Sequence, residues 1–171
     1  AYTAGGNSMV PTWGAEPKLG TNPIAFAAPT GTEEPFSFDA ATTSIAGNKI
    51  GLANRLGHGL QPGWVANDDG SPDMEGAAVS DFSAGGVRMQ LPMGSTRELG
   101  SHKGYSLGVM VDIMCGPLSG AAGFGAATKE RRAHFVAAYD VEAFVPLDEF
   151  KADMDGMMKG LRETKPAPGH D

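Results

Sequence analysis

Cysteine is nearly absent. Cys115 is the one thiol in 171 residues, so no internal disulfide can form. That fits a reducing, cytoplasmic setting. No window holds the run of about 18 apolar residues that a membrane span needs, so no membrane partner is expected. Positive charge is scarce as well, with 13 Lys+Arg against 20 Asp+Glu and a net charge of −7. A nucleic-acid partner is not expected on that balance. His58, His102, His134 and His170 stand apart from any Cys or acid at metal-ligand spacing, so no metal site is expected. No G-x-G-x-x-G follows a strand, which removes the ordinary Rossmann fingerprint. No nucleophile elbow is present, which argues against a Ser-His-Asp hydrolase.

What is present describes a folded chain. Hydrophobic residues make up 41%, too many for disorder, and 25 glycines point to tight turns. The length suits a single core spanning 1–171. The chain starts on Ala1 rather than Met and ends after a Pro-Ala-Pro-Gly turn, so it is read as a piece of a longer protein.

Residues 1–23 are rich in Gly and Pro and read as loop, with a short strand near Met9–Val10. Ile24–Ala28 reads as a buried strand, and Phe36–Phe38 as a second strand ending at Asp39. Ile45, Leu52, Ala53 and Leu56 then share one helical face, and Gly57 supplies the stop. Gly47 and Gly51 inside that helix suggest close packing of another backbone. Asp39 either caps this helix or accepts hydrogen bonds from a ribose. Trp64 reads as a loop anchor. Residues 67–73 read as a solvated turn, because the closing glutamate and flanking helices of a calcium loop are missing. Val87–Leu91 alternates as a strand.

The stretch 92–120 begins as a glycine-broken loop and turns apolar from Tyr105 to Leu118. A helix apolar nearly all round is a buried helix. Its start carries Ser101, His102 and Lys103. Unpaired N–H groups and the helix dipole favour an anion there, and a cation adds to that. A core helix whose first turn exposes a Lys explains the same residues equally well. Within the helix, Cys115 reads as a small inert hydrophobe and Asp112 as a structural link to a loop amide. Residues 120–127 read as loop, 128–132 as a charged turn and Phe135–Tyr139 as a strand. Leu147, Phe150, Met154, Met157 and Leu161 then form one helical stripe. Interleaved strands and helices make the class α/β. Two helix starts, after Asp39 and at Lys103, with Gly169, His170 and Asp171, could together hold a dinucleotide.

GSHKGYSLGVMVDIMCGPLSG resembles the signature of the malate/L-lactate dehydrogenase family, which is unrelated to the Rossmann-type lactate dehydrogenases. Ureidoglycolate dehydrogenase and 2,3-diketogulonate reductase are among its relatives. VPTWG, LGTNPIAFAAP, FSFDAATTSIAGNKI, HFVAAYD and KPAPGHD resemble further family segments, in the family's order. The resemblance implies a non-Rossmann α/β fold, a mixed sheet flanked by helices, usually in a homodimer. It implies NAD or NADP held by Asp39, Ala40 and Ala41, with Ile45 a further contact. His102 with Lys103, and Gly169 with His170 and Asp171, complete that set. A serine used by some members falls at Gly5, where no serine stands. The family's catalytic histidine lies upstream of the first motif, so no catalytic residue is assigned in this chain. The implied reaction is hydride transfer between the cofactor and a small 2-hydroxy or 2-oxo acid. The alternatives are a catalytically inactive nucleotide-binding module and a structural protein on the same fold.

Overall fold

The computed structural model describes residues 1–76, 89–120 and 132–170. Asp171, the start of the strand read from Val87, most of the 120–127 loop and most of the 128–132 turn lie outside the described residues. The chain divides into two compact units. One comprises residues 1–24 and 39–136, the other residues 25–38 and 137–171.

Among the described residues there are four strands, β1 (Tyr2–Ala4), β2 (Ile24–Ala28), β3 (Phe36–Ala40) and β4 (Ala133–Phe135), in the sheet order β3-β2-β1-β4. Both pairings of β1 are antiparallel, Tyr2 opposite Ile24 on one side and opposite Phe135 on the other. The helices are α1 (Gly47–Leu56), α2 (Ser101–Cys115) and α3 (Leu147–Arg162). The α/β class read from the sequence is the one observed.

Two strands differ from the sequence reading. β1 lies in the stretch read as loop, because Ala4 is buried with Val111 and Cys115 of α2 while Tyr2 stacks on Phe135 at 5.7 Å. β4 ends where the FVAAY strand was expected to begin. Ala133 and Phe135 pack on that same cluster, whereas Val136 and Tyr139 are exposed. Met9 is fully buried, yet it forms only isolated bridges, to Leu19 and to Gln90.

α1 starts later than its apolar pattern. Its N-cap is Ala46 and Gly57 closes it in the left-handed region at φ 65°. Asp39 therefore caps no helix. Ile45 and Ile50 pack with Leu60, Val65 and Trp64, so Trp64 does anchor the loop. Among the described residues outside α1 nothing lies within 4 Å of a methyl placed on Gly51, so none of their backbone packs closely there.

α2 is not buried all round. Ser101, Gly104, Gly108, Val111 and Cys115 are buried at alternating spacings of three and four, which is one helical face. Met110 and Ile113 stand exposed on the other side. The buried face is built of small residues, and a side chain on Gly104 would collide with the Met93 backbone. Gly108 likewise leaves room for Met9 and Thr42. The helix thus lies close on the chain beneath it, and glycine makes that approach possible.

In the second unit, Asp155 of α3 accepts hydrogen bonds from the backbone N–H groups of Gly31, Thr32 and Glu33 at 2.9–3.1 Å. Arg162 pairs with Glu33. No residue of α3 is buried, and Met157 and Leu161 of the expected stripe are exposed.

Candidate functional site

The first unit brings the Asp39–Ser44 stretch and the start of α2 to one segment, Leu91–Met93. Ser44 donates its backbone N–H to the Leu91 carbonyl at 2.8 Å and its hydroxyl to the Pro92 carbonyl at 2.6 Å. Met93 donates its N–H to the Thr42 carbonyl at 2.9 Å. Gly104 of α2 packs on the same Met93 backbone. Beneath this junction sits Gln90, buried and fully engaged. It accepts from the Ser8 hydroxyl at 2.5 Å and donates to the Ile45 carbonyl at 2.6 Å. A satisfied buried amide of this kind fixes the loops around it.

Asp39 is exposed at the end of β3, and Ala40 and Ala41 are half-buried. α2 opens on Gly100, at φ 101°, with no side-chain cap and no acidic residue in its first turn. Lys103 is exposed there. The ring of His102 meets Arg97, whose Nη1 lies 2.9 Å from His102 Nδ1. A guanidinium only donates, so Nδ1 accepts and the ring proton sits on Nε2. Gly169, at φ 84°, and His170 belong to the second unit.

Sequence reasoning passed over the cleft beside α2. It has a volume of about 440 Å³ and lies between the Pro11–Gly14 turn, the 69–74 loop and the 91–101 segment. Thr12, Ser95, Thr96, Arg97 and Ser101 line it together with Trp13. Ser101 is 1% exposed, and its hydroxyl lies 3.1 Å from that of Thr12. The 11–14 turn is closed by the Gly14 N–H on the Pro11 carbonyl, which puts Trp13 at its third position with φ 64°. That position favours Gly or Asn, and a bulky residue there carries strain of about 1–3 kcal/mol. Trp13 is 84% exposed, with the Arg97 guanidinium 5.9 Å from its ring centroid. The signal that could have found this pair is an arginine in a glycine-broken loop preceding a helix start.

One turn into the core, Asn22 donates to the Gly108 carbonyl and to Asp112 Oδ2, both at 2.9 Å. Asp112 is thus tied to a loop amide, as its position suggested. Burial pushes its carboxyl above the usual range, against the pull of Asn22. Burial likewise pushes the Cys115 thiol up, consistent with an inert side chain.

The family model described as malate/L-lactate dehydrogenase matches residues 1–171. A malate dehydrogenase of Pyrococcus horikoshii is 38% identical over 166 residues, covering 94% of this chain and 44% of its own length. A Δ1-pyrroline-2-carboxylate reductase of Ancylobacter novellus is 37% identical over 119 residues, 70% of this chain and 31% of that one. The crystal structure of malate dehydrogenase from Entamoeba histolytica superposes with a TM-score of 0.84 at 32% identity, covering 99% of this chain and 49% of that one. The chain thus spans less than half the length of these curated relatives. With the family model matching residues 1–171 and the fold shared at that TM-score, the chain belongs to the malate/L-lactate dehydrogenase family.

Proposed function

We propose that this chain is the cofactor-holding part of an NAD(P)-dependent oxidoreductase acting on a small 2-hydroxy or 2-oxo acid. The observation that carries the reading is the shared Leu91–Met93 segment, which ties the Asp39–Ser44 stretch and the start of α2 into one rigid junction. The residues fit a nicotinamide dinucleotide. An uncapped helix start with an exposed Lys103 suits its phosphates, and an exposed carboxylate at Asp39 suits a ribose hydroxyl. The cofactor supplies hydride chemistry when bound, and the protein supplies position and electrostatics. Gly104 lets α2 approach closely enough to present its first turn, while Ala40 and Ala41 leave room beside Asp39. The family relatives carry the names of small carboxylic acids, malate and pyrroline-2-carboxylate, which supports an acid as substrate.

The test is a fluorescence titration with NADH and NADPH. Lys103→Ala is expected to weaken binding by about 1.5–3 kcal/mol, the scale of a charge-assisted hydrogen bond. Its melting temperature should hardly move, because an exposed lysine contributes little to stability. Unchanged affinity removes Lys103 from the site. Turnover of pyruvate or oxaloacetate by this chain alone should be very low, because a positioned proton donor is worth about 10²–10⁴-fold and no residue here is assigned that role.

A further inference from the structure

We propose that Arg97 is a positioning residue of the cofactor site: it holds His102 as a hydrogen-bond donor through Nε2, at the start of α2 beside Lys103. This rests on the oxidoreductase reading and adds to it the group that orients the ring. A neutral imidazole carries its proton on one nitrogen, and the partner of the other decides which. Arg97 Nη1 lies 2.9 Å from His102 Nδ1. A guanidinium has donors only, so Nδ1 is kept bare and Nε2 carries the proton. A carboxylate in the same place would keep the proton of the neutral ring on Nδ1. Nε2 would then be an acceptor and would turn a lone pair on an anion. Arg97 thus sets the sense of the ring's hydrogen bonding, at a helix start where Lys103 and the uncapped backbone N–H groups are donors as well. Arg97 is itself exposed, and an exposed arginine swings freely unless something holds it. Trp13 does so, with its ring centroid 5.9 Å from the guanidinium carbon. None of the salt bridges among the described residues takes up Arg97, so Trp13 and His102 are the contacts that fix it. This explains why a tryptophan occupies a backbone conformation, φ 64°, that glycine would adopt without strain. Strain kept at one exposed residue points to a use for its ring. Trp13, Arg97, His102 and Lys103 all belong to the first unit.

The full chain is labelled with nitrogen-15 histidine, and its ring nitrogens are read by NMR in mildly alkaline buffer, where an imidazole is neutral. His102→Gln assigns the signal, and NADH is titrated into each variant in parallel. The wild-type ring is expected as a single tautomer with the proton on Nε2. Arg97→Met keeps the stem and removes the donors. It should leave a mixture of tautomers and weaken NADH about fivefold, the worth of roughly one neutral hydrogen bond. Arg97→Lys, again a pure donor, should keep the Nε2–H tautomer, and Arg97→Glu should move the proton to Nδ1. Trp13→Gly should mix the tautomers and weaken NADH without lowering the melting temperature, a combination that a purely structural tryptophan would not show. A wild-type ring protonated on Nδ1, or a tautomer unchanged in Arg97→Met, overturns the proposal. So does an Arg97→Met variant whose tautomer shifts while NADH binds as tightly as before, because the ring then serves no cofactor. If the tautomer follows Arg97 as expected while neither NADH nor NADPH binds the wild-type chain, the oxidoreductase reading fails and the clamp on His102 stands.

Discussion

Asp155 gathers three consecutive backbone amides, and that geometry sets its titration. The N–H of Thr32 leads, with those of Glu33 and Gly31 and the Thr32 hydroxyl, in holding its carboxyl down to about 2 from the ordinary 3.8. A folded-state value below the unfolded one stabilises the tie above about pH 3.8 and releases it as pH falls toward 2. Asp155→Ala should therefore lower hydrogen-exchange protection at Gly31, Thr32 and Glu33 at neutral pH while leaving α2 untouched. Equal protection in the variant would show that another group holds the turn. Asp112 runs the other way. Its folded-state value is raised by burial, so ionisation favours the unfolded chain, and the cost is present at neutral pH and absent below about pH 3.8. Asp112→Asn keeps an oxygen for the Asn22 amide and removes the charge. Its melting temperature should exceed the wild type's at pH 7, with the gap closing in acid. A variant less stable than wild type at pH 7 would mean that the ionised carboxylate is the form the Asn22 amide requires.

At the scale of elements, glycines in two helices give opposite predictions. A side chain on Gly104 would strike the Met93 backbone, so Gly104→Ala should destabilise by about 1–3 kcal/mol and disturb the junction beneath α2. Nothing lies near Gly51, so Gly51→Ala should stabilise α1 by about 0.5–1 kcal/mol. Denaturant unfolding of the two variants checks both signs. These glycines also mark what could be read from the chain. Helix positions were legible, because apolar spacing and the Gly57 stop are local signals. Which glycine faces another backbone was not, since close approach is set by residues far away in sequence, here Met93, Met9 and Thr42. The same limit hid β1, a three-residue strand held by pairing with β4 more than a hundred positions on. It also hid the exposed face of α2, because composition alone does not say which side finds a neighbour. In the candidate site, Lys103 and Asp39 stood out as charges at element ends. Arg97 is visible as one of two arginines near the central loop, but its partners Trp13 and His102 are not, because they meet it only through the fold.

The whole molecule is unevenly stabilised. Among the described residues the three buried hydrophobic clusters lie in the first unit, drawn from residues 4–115, with Tyr2, Ile24, Ala133 and Phe135 among those that pack on them. In the second unit only Ala28 and Thr30 are buried among the described residues. Its α3 is held by polar ties through Asp155 and Arg162, and its apolar residues Met157 and Leu161 gain little from burial. Helices in proteins owe most of their stability to packing of an apolar face, and a segment with few buried contacts opens at low free energy. The amides of α3 should therefore exchange well before those of α2, and denaturant should remove α3 helicity ahead of the tertiary signal of Trp64 in the first unit. Exchange of α2 and α3 at the same rate, through one cooperative transition, would show that the second unit draws its stability from the first rather than from its own contacts.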